Sequence, residues 1–204
     1  KDRVVNGDQN RAPELLQELL DAGDDPQKVL DEALIPAMDI VGEKFQQNEF
    51  FIPELLVAGR AMEACLKVVE PLLKESGAKS QGVAVACTVK GDLHDIGKNI
   101  VAAMMKGAGF KMVDLGTDAA PDKVAQAVKD NDADVVCLSA LLTTTMKSMK
   151  ETIEALEKNG VRDGVKVLVG GAPLTQKYAD QIGADGYGKD AAEAVKKARE
   201  LLGK

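Results

Sequence analysis

The one histidine of this 204-residue chain lies in a segment whose residue types suit metal or proton chemistry. His94 stands between two aspartates in the stretch VKGDLHDIGKNIV, where Asp92 precedes it by two residues and Asp95 follows it directly. A carboxylate at that spacing can accept a hydrogen bond from one imidazole nitrogen, which fixes the tautomer and raises the basicity of the other nitrogen. We therefore expect a functional histidine here rather than a structural one.

The segment around His94 does not match several common kinds of site. Gly91 and Gly97 bracket the loop, and we expect them to allow tight turns and close approach of a bulky ligand. A phosphate-binding P-loop has one residue fewer between its glycines, and Asn99 stands where that motif places Ser or Thr. One histidine without clustered cysteines is a poor start for zinc, and Ser139 lacks the nucleophile-elbow sequence of a serine hydrolase.

A metal that brings most of its own ligands and needs a single imidazole fits what remains. A tetrapyrrole-like macrocycle meets that description. Haem is possible in principle, but aromatic residues make up only 3% of the chain, too few to indicate a usual haem pocket. A corrin has four equatorial nitrogens and an open lower axial position, which one imidazole could fill.

Composition narrows the classes of partner. The net charge is −7 without a basic cluster, which argues against a nucleic-acid partner and gives no polybasic membrane signal. No apolar stretch approaches a membrane span, and the first residues have no signal-peptide character. Cys65, Cys87 and Cys137 are scattered, so we expect reduced, buried thiols in a cytoplasmic protein.

Apolar periodicity predicts helices for residues 1–75, packed as a small bundle. Pro36 falls inside one helical pattern and predicts a kink or break, whereas Pro53 suits a first helical turn. The polar stretch KESGAKSQ follows, and we predict a linker at residues 76–81 between this helical cap and a second domain over residues 82–204.

The second domain alternates short β-branched segments with helical ones. This alternation predicts an α/β domain with a five-stranded parallel, doubly wound sheet in the flavodoxin-like order. The predicted strands are residues 82–89, 110–116, 134–140, 165–171 and, more weakly, 184–188. The predicted helices are residues 97–108, 121–130, 144–158, 173–181 and 190–202.

Ligands of such sheets bind where the strands end, beside the strands on either side of the switch point. The loops after strands one, three and four are therefore expected to open into one crevice. These loops carry Asp92, His94 and Asp95; Ser139, Leu141 and Thr143 to Thr145; and Gly170 with Gly171.

These residues form a pattern that resembles a known family. The chain has Asp92-x-His94-x-x-Gly97, then 41 residues, then Ser139-x-Leu141, then 28 residues, then Gly170-Gly171. Three motifs at these separations resemble the cobalamin-binding module shared by methionine synthase and the corrinoid proteins of methanol, methylamine and methoxy-aromatic methyltransferase systems. The likeness covers nearly the whole chain, because the segment from Val41 to Leu73 resembles the family's helical cap.

The resemblance implies a role for each matching residue. His94 would be the lower axial ligand of cobalt in place of the cofactor's own base, with Asp92 bonded to its other nitrogen. Thr145 stands where methionine synthase has a serine that completes this relay. The rest of the implied cofactor site comprises Gly91, Leu93, Asp95, Ile96 and Gly97 in the His94 segment, Ser139, Leu141, Thr143, Gly170 and Gly171 around the displaced nucleotide tail, and Phe45, Ile52 and Leu55 over the upper face.

The resemblance also implies a function, which is to carry a methyl group on cobalamin, as methylcobalamin and cob(I)alamin or a related corrinoid. The implied partners are a substrate-specific methyltransferase, a second methyltransferase that uses tetrahydrofolate, another pterin or coenzyme M, and a reductive activase. Such a chain is a carrier subunit rather than a complete enzyme. Two alternatives stay open: a cobalamin-binding sensor module, and the small subunit of an adenosylcobalamin mutase.

Overall fold

The computed structural model describes residues 1–75 and 81–204, and the chain divides into two compact units. One unit is helical and comprises Lys1–Ser80 with Lys106–Gly109; the other is the α/β unit, Gln81–Met105 with Phe110–Lys204. Apart from Gln81, the predicted linker lies outside the described residues. The predicted domain boundaries therefore stay a prediction.

The helical unit has the secondary structure that the apolar periodicity predicts. Its helices are α1 (Asp2–Val5), α2 (Arg11–Asp21), α3 (Pro26–Val29), α4 (Ile35–Gln46) and α5 (Ile52–Glu75). Side chains at helical spacing are buried along α4 and α5, among them Met38, Val41, Met62 and Val69. This aliphatic core is what a chain without tryptophan must use.

Pro36 disturbs its helix, as the sequence predicts, in a particular way. A five-residue π-helical turn, Leu30–Leu34, joins α3 to α4, and Pro36 lies in the first turn of α4. Proline lacks the N–H that an α-helix interior needs, and a wider turn just before it removes that requirement. Pro53 lies in the first turn of α5, where the missing N–H costs nothing.

The α/β unit has the predicted alternation and the predicted strand order. Its strands are β1 (Val83–Thr88), β2 (Lys111–Asp114), β3 (Val135–Ser139), β4 (Lys166–Gly170) and β5 (Gly186–Gly188). Its helices are α6 (Ile96–Gly107), α7 (Pro121–Asn131), α8 (Lys147–Lys158), α9 (Gln176–Ile182) and α10 (Ala191–Leu202). All strands are parallel, in the order β2-β1-β3-β4-β5, so the predicted flavodoxin-like architecture is confirmed.

The central strands explain why this order forms. The side chains of β1 from Ala84 to Thr88 are all buried, and so are those of β3 from Val135 to Leu138. Strands that are buried on both faces have helices on both sides of the sheet. Their sequences are therefore continuous runs of β-branched and small apolar residues. The core of this unit is accordingly aliphatic.

Within residues 1–75 and 81–204, no helix combines the length and the apolar content needed to cross a bilayer.

Candidate functional site

Strand register brings three of the predicted loops to one edge of the sheet. Thr88 at the end of β1 pairs with Ser139 at the end of β3, and Ser139 pairs in turn with Gly170 at the end of β4. The loop after β1 (the His94 loop, residues 89–95) and the loop after β3 (the Leu141 loop, residues 140–146) therefore leave the sheet side by side. The candidate site is built on these two loops.

Asp92 holds His94 by two hydrogen bonds from one carboxylate oxygen. Oδ1 of Asp92 accepts from Nδ1 of the imidazole at 2.8 Å and from the backbone N–H of His94 at 3.1 Å. The carboxylate is completely buried, whereas the imidazole is 51% exposed. The hydrogen bond expected between these two side chains is therefore present, and its acceptor is fixed inside the protein.

The second oxygen of Asp92 bonds to the Leu141 loop. Oδ2 accepts from the backbone N–H of Leu141 at 2.8 Å, from that of Leu142 at 3.2 Å and from the Thr145 hydroxyl at 2.7 Å. Thr145 is buried, and its Oγ1 also lies 2.9 Å from the Leu142 carbonyl oxygen. One carboxylate thus joins the two loops, and Thr145 bonds to Asp92 as the resemblance implies.

These hydrogen bonds decide the charge of Asp92. Burial by itself raises the pKa of this carboxyl, because it disfavours the ionised form. The hydrogen bonds from Thr145, Leu141 and His94 outweigh burial and hold the pKa well below its ordinary value. Asp92 is therefore ionised at neutral pH.

An ionised carboxylate fixes the tautomer of His94. It can only accept hydrogen bonds, so Nδ1 carries a proton, and in the neutral imidazole the lone pair is then on Nε2. Among the described residues, Nε2 has no hydrogen-bond partner, and half of the imidazole is exposed. The site leaves Nε2 open, and in the neutral imidazole this is the nitrogen that can bind a metal.

The surrounding residues do not complete a conventional metal site. The described parts of the chain contain no cluster of three or more His, Cys, Asp or Glu side chains able to hold a metal. All three cysteines are free and buried, and burial raises the pKa of Cys87 and Cys137 to about 12. A metal bound by His94 must therefore bring its other ligands with it, and the residues present fit such a group.

Large apolar side chains are exposed on the same loops. Leu93 is 73% exposed and Ile96 is 70% exposed, while Leu141 and Leu142 are each more than 40% exposed. Leu141 and Leu142 lie beside the His94 loop because their N–H groups bind Asp92. Of the other predicted site residues here, Asp95 and Thr143 are exposed and Ser139 is half-buried at the end of β3. The loops thus offer an apolar ligand an unusual amount of open apolar surface.

Glycine is required for different physical reasons at different positions of the site. Gly91 has a φ of +84°, so the tight turn expected there is present. Gly97 has no such φ, so the turn expected there is absent. Among the residues that the structure describes, a Cβ at Gly97 would meet nothing within 4 Å. At Gly171, with φ +134°, a Cβ would lie 1.9 Å from the Ala140 carbonyl oxygen, so the fold itself demands glycine. A Cβ at Gly170 would lie 3.0 Å from a backbone oxygen of β5.

Other residues support the His94 loop, and the motif does not include them. The Thr88 hydroxyl donates to the His94 carbonyl oxygen at 2.8 Å, and Asp118 Oδ1 accepts from the Gly91 N–H at 2.7 Å. The buried Lys98 Nζ bonds to Asp114 Oδ2 at 2.5 Å, which ties the start of α6 to the end of β2. The only sequence signal for Thr88, Asp114 and Asp118 is their position at or just after the ends of β1 and β2.

The three predicted residues of the cap lie in the helical unit. Phe45 is in the last turn of α4, and Ile52 and Leu55 are in the first turn of α5. Leu55 is buried, Phe45 is half-buried and Ile52 is 46% exposed. Their predicted role above a cofactor stays a prediction.

The chain is similar to known proteins over nearly its whole length. Residues 82–196 and residues 1–70 each match a family model described as a B12 binding domain. The trimethylamine corrinoid protein of Methanosarcina barkeri is 44% identical, with 99% of this chain and 94% of that protein covered.

Two solved structures are similar as well. A cobalamin-binding protein from Desulfitobacterium hafniense DCB-2 is 33% identical at a TM-score of 0.81, with 98% of this chain and 95% of that chain covered. A chain of the methanol:cobalamin methyltransferase complex from Methanosarcina barkeri is 31% identical at a TM-score of 0.85, with 100% and 78% covered.

Proposed function

Because the chain belongs to the family of B12-binding corrinoid proteins, we propose that it binds cobalamin or a related corrinoid and carries a methyl group between methyltransferases. The bound corrinoid supplies the chemistry, a cobalt that accepts a methyl group from one partner and gives it to another. The protein supplies the lower ligand, the surroundings of the ring and the surfaces that partners meet.

One observation carries the proposal for the site. Nε2 of His94 has no partner among the described residues, while a fully buried, ionised carboxylate holds Nδ1. A histidine that binds a metal typically donates its other ring N–H to a carboxylate, as His94 does, whereas a histidine with a purely structural role has no need to leave one nitrogen open. We infer that Nε2 of His94 is the lower cobalt ligand and takes the place of the cofactor's own base.

The apolar surface around His94 supports the same proposal. A corrin is a broad, largely apolar macrocycle, and burial of Leu93, Ile96 and Leu141 against it removes exposed hydrocarbon from water. The open space at Gly97 gives such a ring room near the start of α6. A bare metal ion needs none of these features.

Asp92 and Thr145 act through His94 in this proposal. Asp92 holds the tautomer that leaves Nε2 free, and the Thr145 hydroxyl keeps the carboxylate aimed at the imidazole. Neither residue needs to touch the corrinoid. Each is a positioning residue, and each controls how firmly His94 binds the metal.

The remaining parts of the proposal concern the rest of the cofactor and the partners. Ser139, Thr143 and the glycine pair 170–171 would lie along the nucleotide tail, and Phe45, Ile52 and Leu55 would cover the upper face. A substrate-specific methyltransferase would load the methyl group, and a second one would pass it to a pterin or to coenzyme M. A reductive activase would restore oxidised cobalt. The names of the relatives support methyltransferase partners.

Reconstitution with hydroxocobalamin tests the proposed function. The purified chain is incubated with the corrinoid, passed through gel filtration and measured for cobalt and visible absorption. We expect about one corrinoid per chain. In His94→Ala we expect an altered spectrum and weaker retention, because the lower ligand is lost. Some corrinoid should still be retained, because contacts to the tail remain. A wild-type chain that leaves the column without corrinoid contradicts the proposal.

A further inference from the structure

Asp118 has a backbone conformation that needs an explanation. Its φ is +51°, in the left-handed region that residues other than glycine seldom adopt. The side chain is exposed, so packing in the core does not demand the conformation. Asp118 lies in the loop after β2 (the Asp118 loop, residues 115–120), which follows the strand next to β1.

The contacts of Asp118 supply the explanation. Its Oδ1 accepts from the Gly91 N–H at 2.7 Å, and its own N–H donates to the Asp92 carbonyl oxygen at 3.0 Å. The two hydrogen bonds attach the backbone of Gly91 and Asp92 to the Asp118 loop. The next residue adds a third connection, because the Ala119 N–H donates to the Thr88 carbonyl oxygen at 3.0 Å.

These bonds act on the residue that orients the imidazole. The direction of the Asp92 carboxylate depends on the backbone at Gly91 and Asp92, and Gly91 is itself at a φ of +84° that few other residues hold. A free loop would populate several backbone states here. The Asp118 loop selects one of them, the state in which Oδ1 of Asp92 faces Nδ1 of His94.

We propose that Asp118 is a positioning residue for His94, which it orients through Gly91 and Asp92 without contact with the ligand. The inference rests on the proposed function only where it concerns the cofactor. The orientation of the imidazole itself is a property of the chain alone, so it can be tested without corrinoid.

The single histidine makes this test direct. A chain labelled with ¹⁵N-histidine gives one imidazole in a long-range ¹H–¹⁵N correlation spectrum, and the two nitrogen shifts report the tautomer. We expect wild type to show His94 protonated at Nδ1. In Asp118→Gly the left-handed backbone is kept and only the acceptor is lost. We expect up to about a tenfold rise in the population of other imidazole states, because one hydrogen bond to the Gly91 N–H is missing.

Two variants control the experiment. Asp118→Asn keeps an acceptor oxygen and tolerates a left-handed backbone, so we expect a spectrum like that of wild type. Asp132→Gly changes another exposed aspartate with a left-handed φ, of +49°, at the end of α7, and should leave His94 unchanged. Imidazole populations in Asp118→Gly that match those of wild type, or populations in Asp118→Asn that shift as in Asp118→Gly, overturn the proposal.

Corrinoid-loaded protein gives a second measurement. We expect Asp118→Gly to lose the histidine-ligated absorption spectrum about tenfold more readily than Asp118→Asn when free imidazole competes for cobalt. Equal loss in the two variants contradicts the role toward the cofactor. If wild type itself binds no corrinoid, the proposed function fails, while the tautomer experiment still decides the role of Asp118.

Discussion

The Asp92 carboxylate bonds to His94 and to Thr145 from opposite oxygens, 2.8 Å from the imidazole Nδ1 and 2.7 Å from the hydroxyl Oγ1. Fifty-three positions separate Asp92 from Thr145. The two loops at the end of β1 and β3 are therefore joined through a charge that is completely buried. Because of this link, a change at Asp92 or Thr145 affects both the stability of the two loops and the orientation of His94.

Removal of the Thr145 hydroxyl is expected to destabilise the chain. Thr145→Val keeps the shape but takes a donor from a buried carboxylate, which costs about 1.5–3 kcal/mol. Thr145→Ser keeps the donor and should cost less. Urea unfolding of the chain without corrinoid measures both differences.

Thr152→Val is the matched control for that experiment. Thr152 is fully buried, and its hydroxyl donates to a backbone carbonyl within α8 instead of to a carboxylate. We expect it to cost about 1 kcal/mol, as for a neutral hydrogen bond. Equal costs for Thr145→Val and Thr152→Val would mean that the charge of Asp92 adds nothing.

Gly171→Ala is expected to destabilise the fold whether or not a cofactor is bound. The added Cβ would lie 1.9 Å from the Ala140 carbonyl oxygen, at a φ of +134°. Backbone at both sides of the contact must move, and we expect a cost of about 2–5 kcal/mol. Thermal unfolding without corrinoid measures it, and a melting temperature like that of wild type would contradict the packing described here.

Gly97→Ala should behave in the opposite way. Gly97 lies in the first turn of α6, and within the described parts of the chain a Cβ there would meet nothing within 4 Å beyond its own neighbours. We expect the free protein to be unchanged or more stable by at most about 0.5–1 kcal/mol, the full gain being that of a mid-helix glycine. Corrinoid binding should weaken by about tenfold or more, because the methyl group occupies space that the ring would use.

Gly164→Ala controls for the general effect of such a change. Gly164 also has open space around it, and it lies before β4, at the opposite edge of the sheet from the site. We expect no change in corrinoid affinity. Unaltered affinity in Gly97→Ala, measured by titration with hydroxocobalamin, would exclude close approach of the ring at this position.

Asp92→Asn tests how much the ionised carboxylate adds to the free energy of unfolding at different pH. The folded state lowers the pKa of Asp92, so the carboxylate adds stability at any pH above its unfolded value of about 3.9, and that stability is lost as the pH falls toward the lower folded value. Wild type should exceed Asp92→Asn in unfolding free energy by about 2–4 kcal/mol at neutral pH. The difference should shrink below about pH 4. A gap that stays constant into strong acid would contradict this assignment.

Much of the α/β unit could be predicted because its causes are local. Alternation of short β-branched segments with amphipathic ones specifies a parallel sheet, and the order of five such units placed the loops of Asp92 and Ser139 side by side. The resemblance carried the prediction further, to the bond between Thr145 and Asp92. Pro36 predicted a disturbed helix because its missing N–H acts on the same turn.

What could not be predicted depends on contacts between distant loops. Asp118 bonds to Gly91 across 27 positions, and nothing in the sequence around Asp118 shows that its backbone turns left-handed. The place of Gly171 along a nucleotide tail stays a prediction, and the sequence alone did not show that a Cβ there would also meet the carbonyl oxygen of Ala140. Gly97 was expected to make a turn, and it lies instead in a regular helix.

The central claim is that the imidazole of His94 binds cobalt, and electron paramagnetic resonance tests it most directly. Because His94 is the only histidine, growth on ¹⁵N-histidine labels this one imidazole. In the protein loaded with cobalt(II) corrinoid, we predict that the nitrogen splitting changes from a triplet in unlabelled protein to a doublet in labelled protein. A triplet that survives labelling would show the cofactor's own base on the metal, and a spectrum without nitrogen splitting would show water; either result would contradict the account.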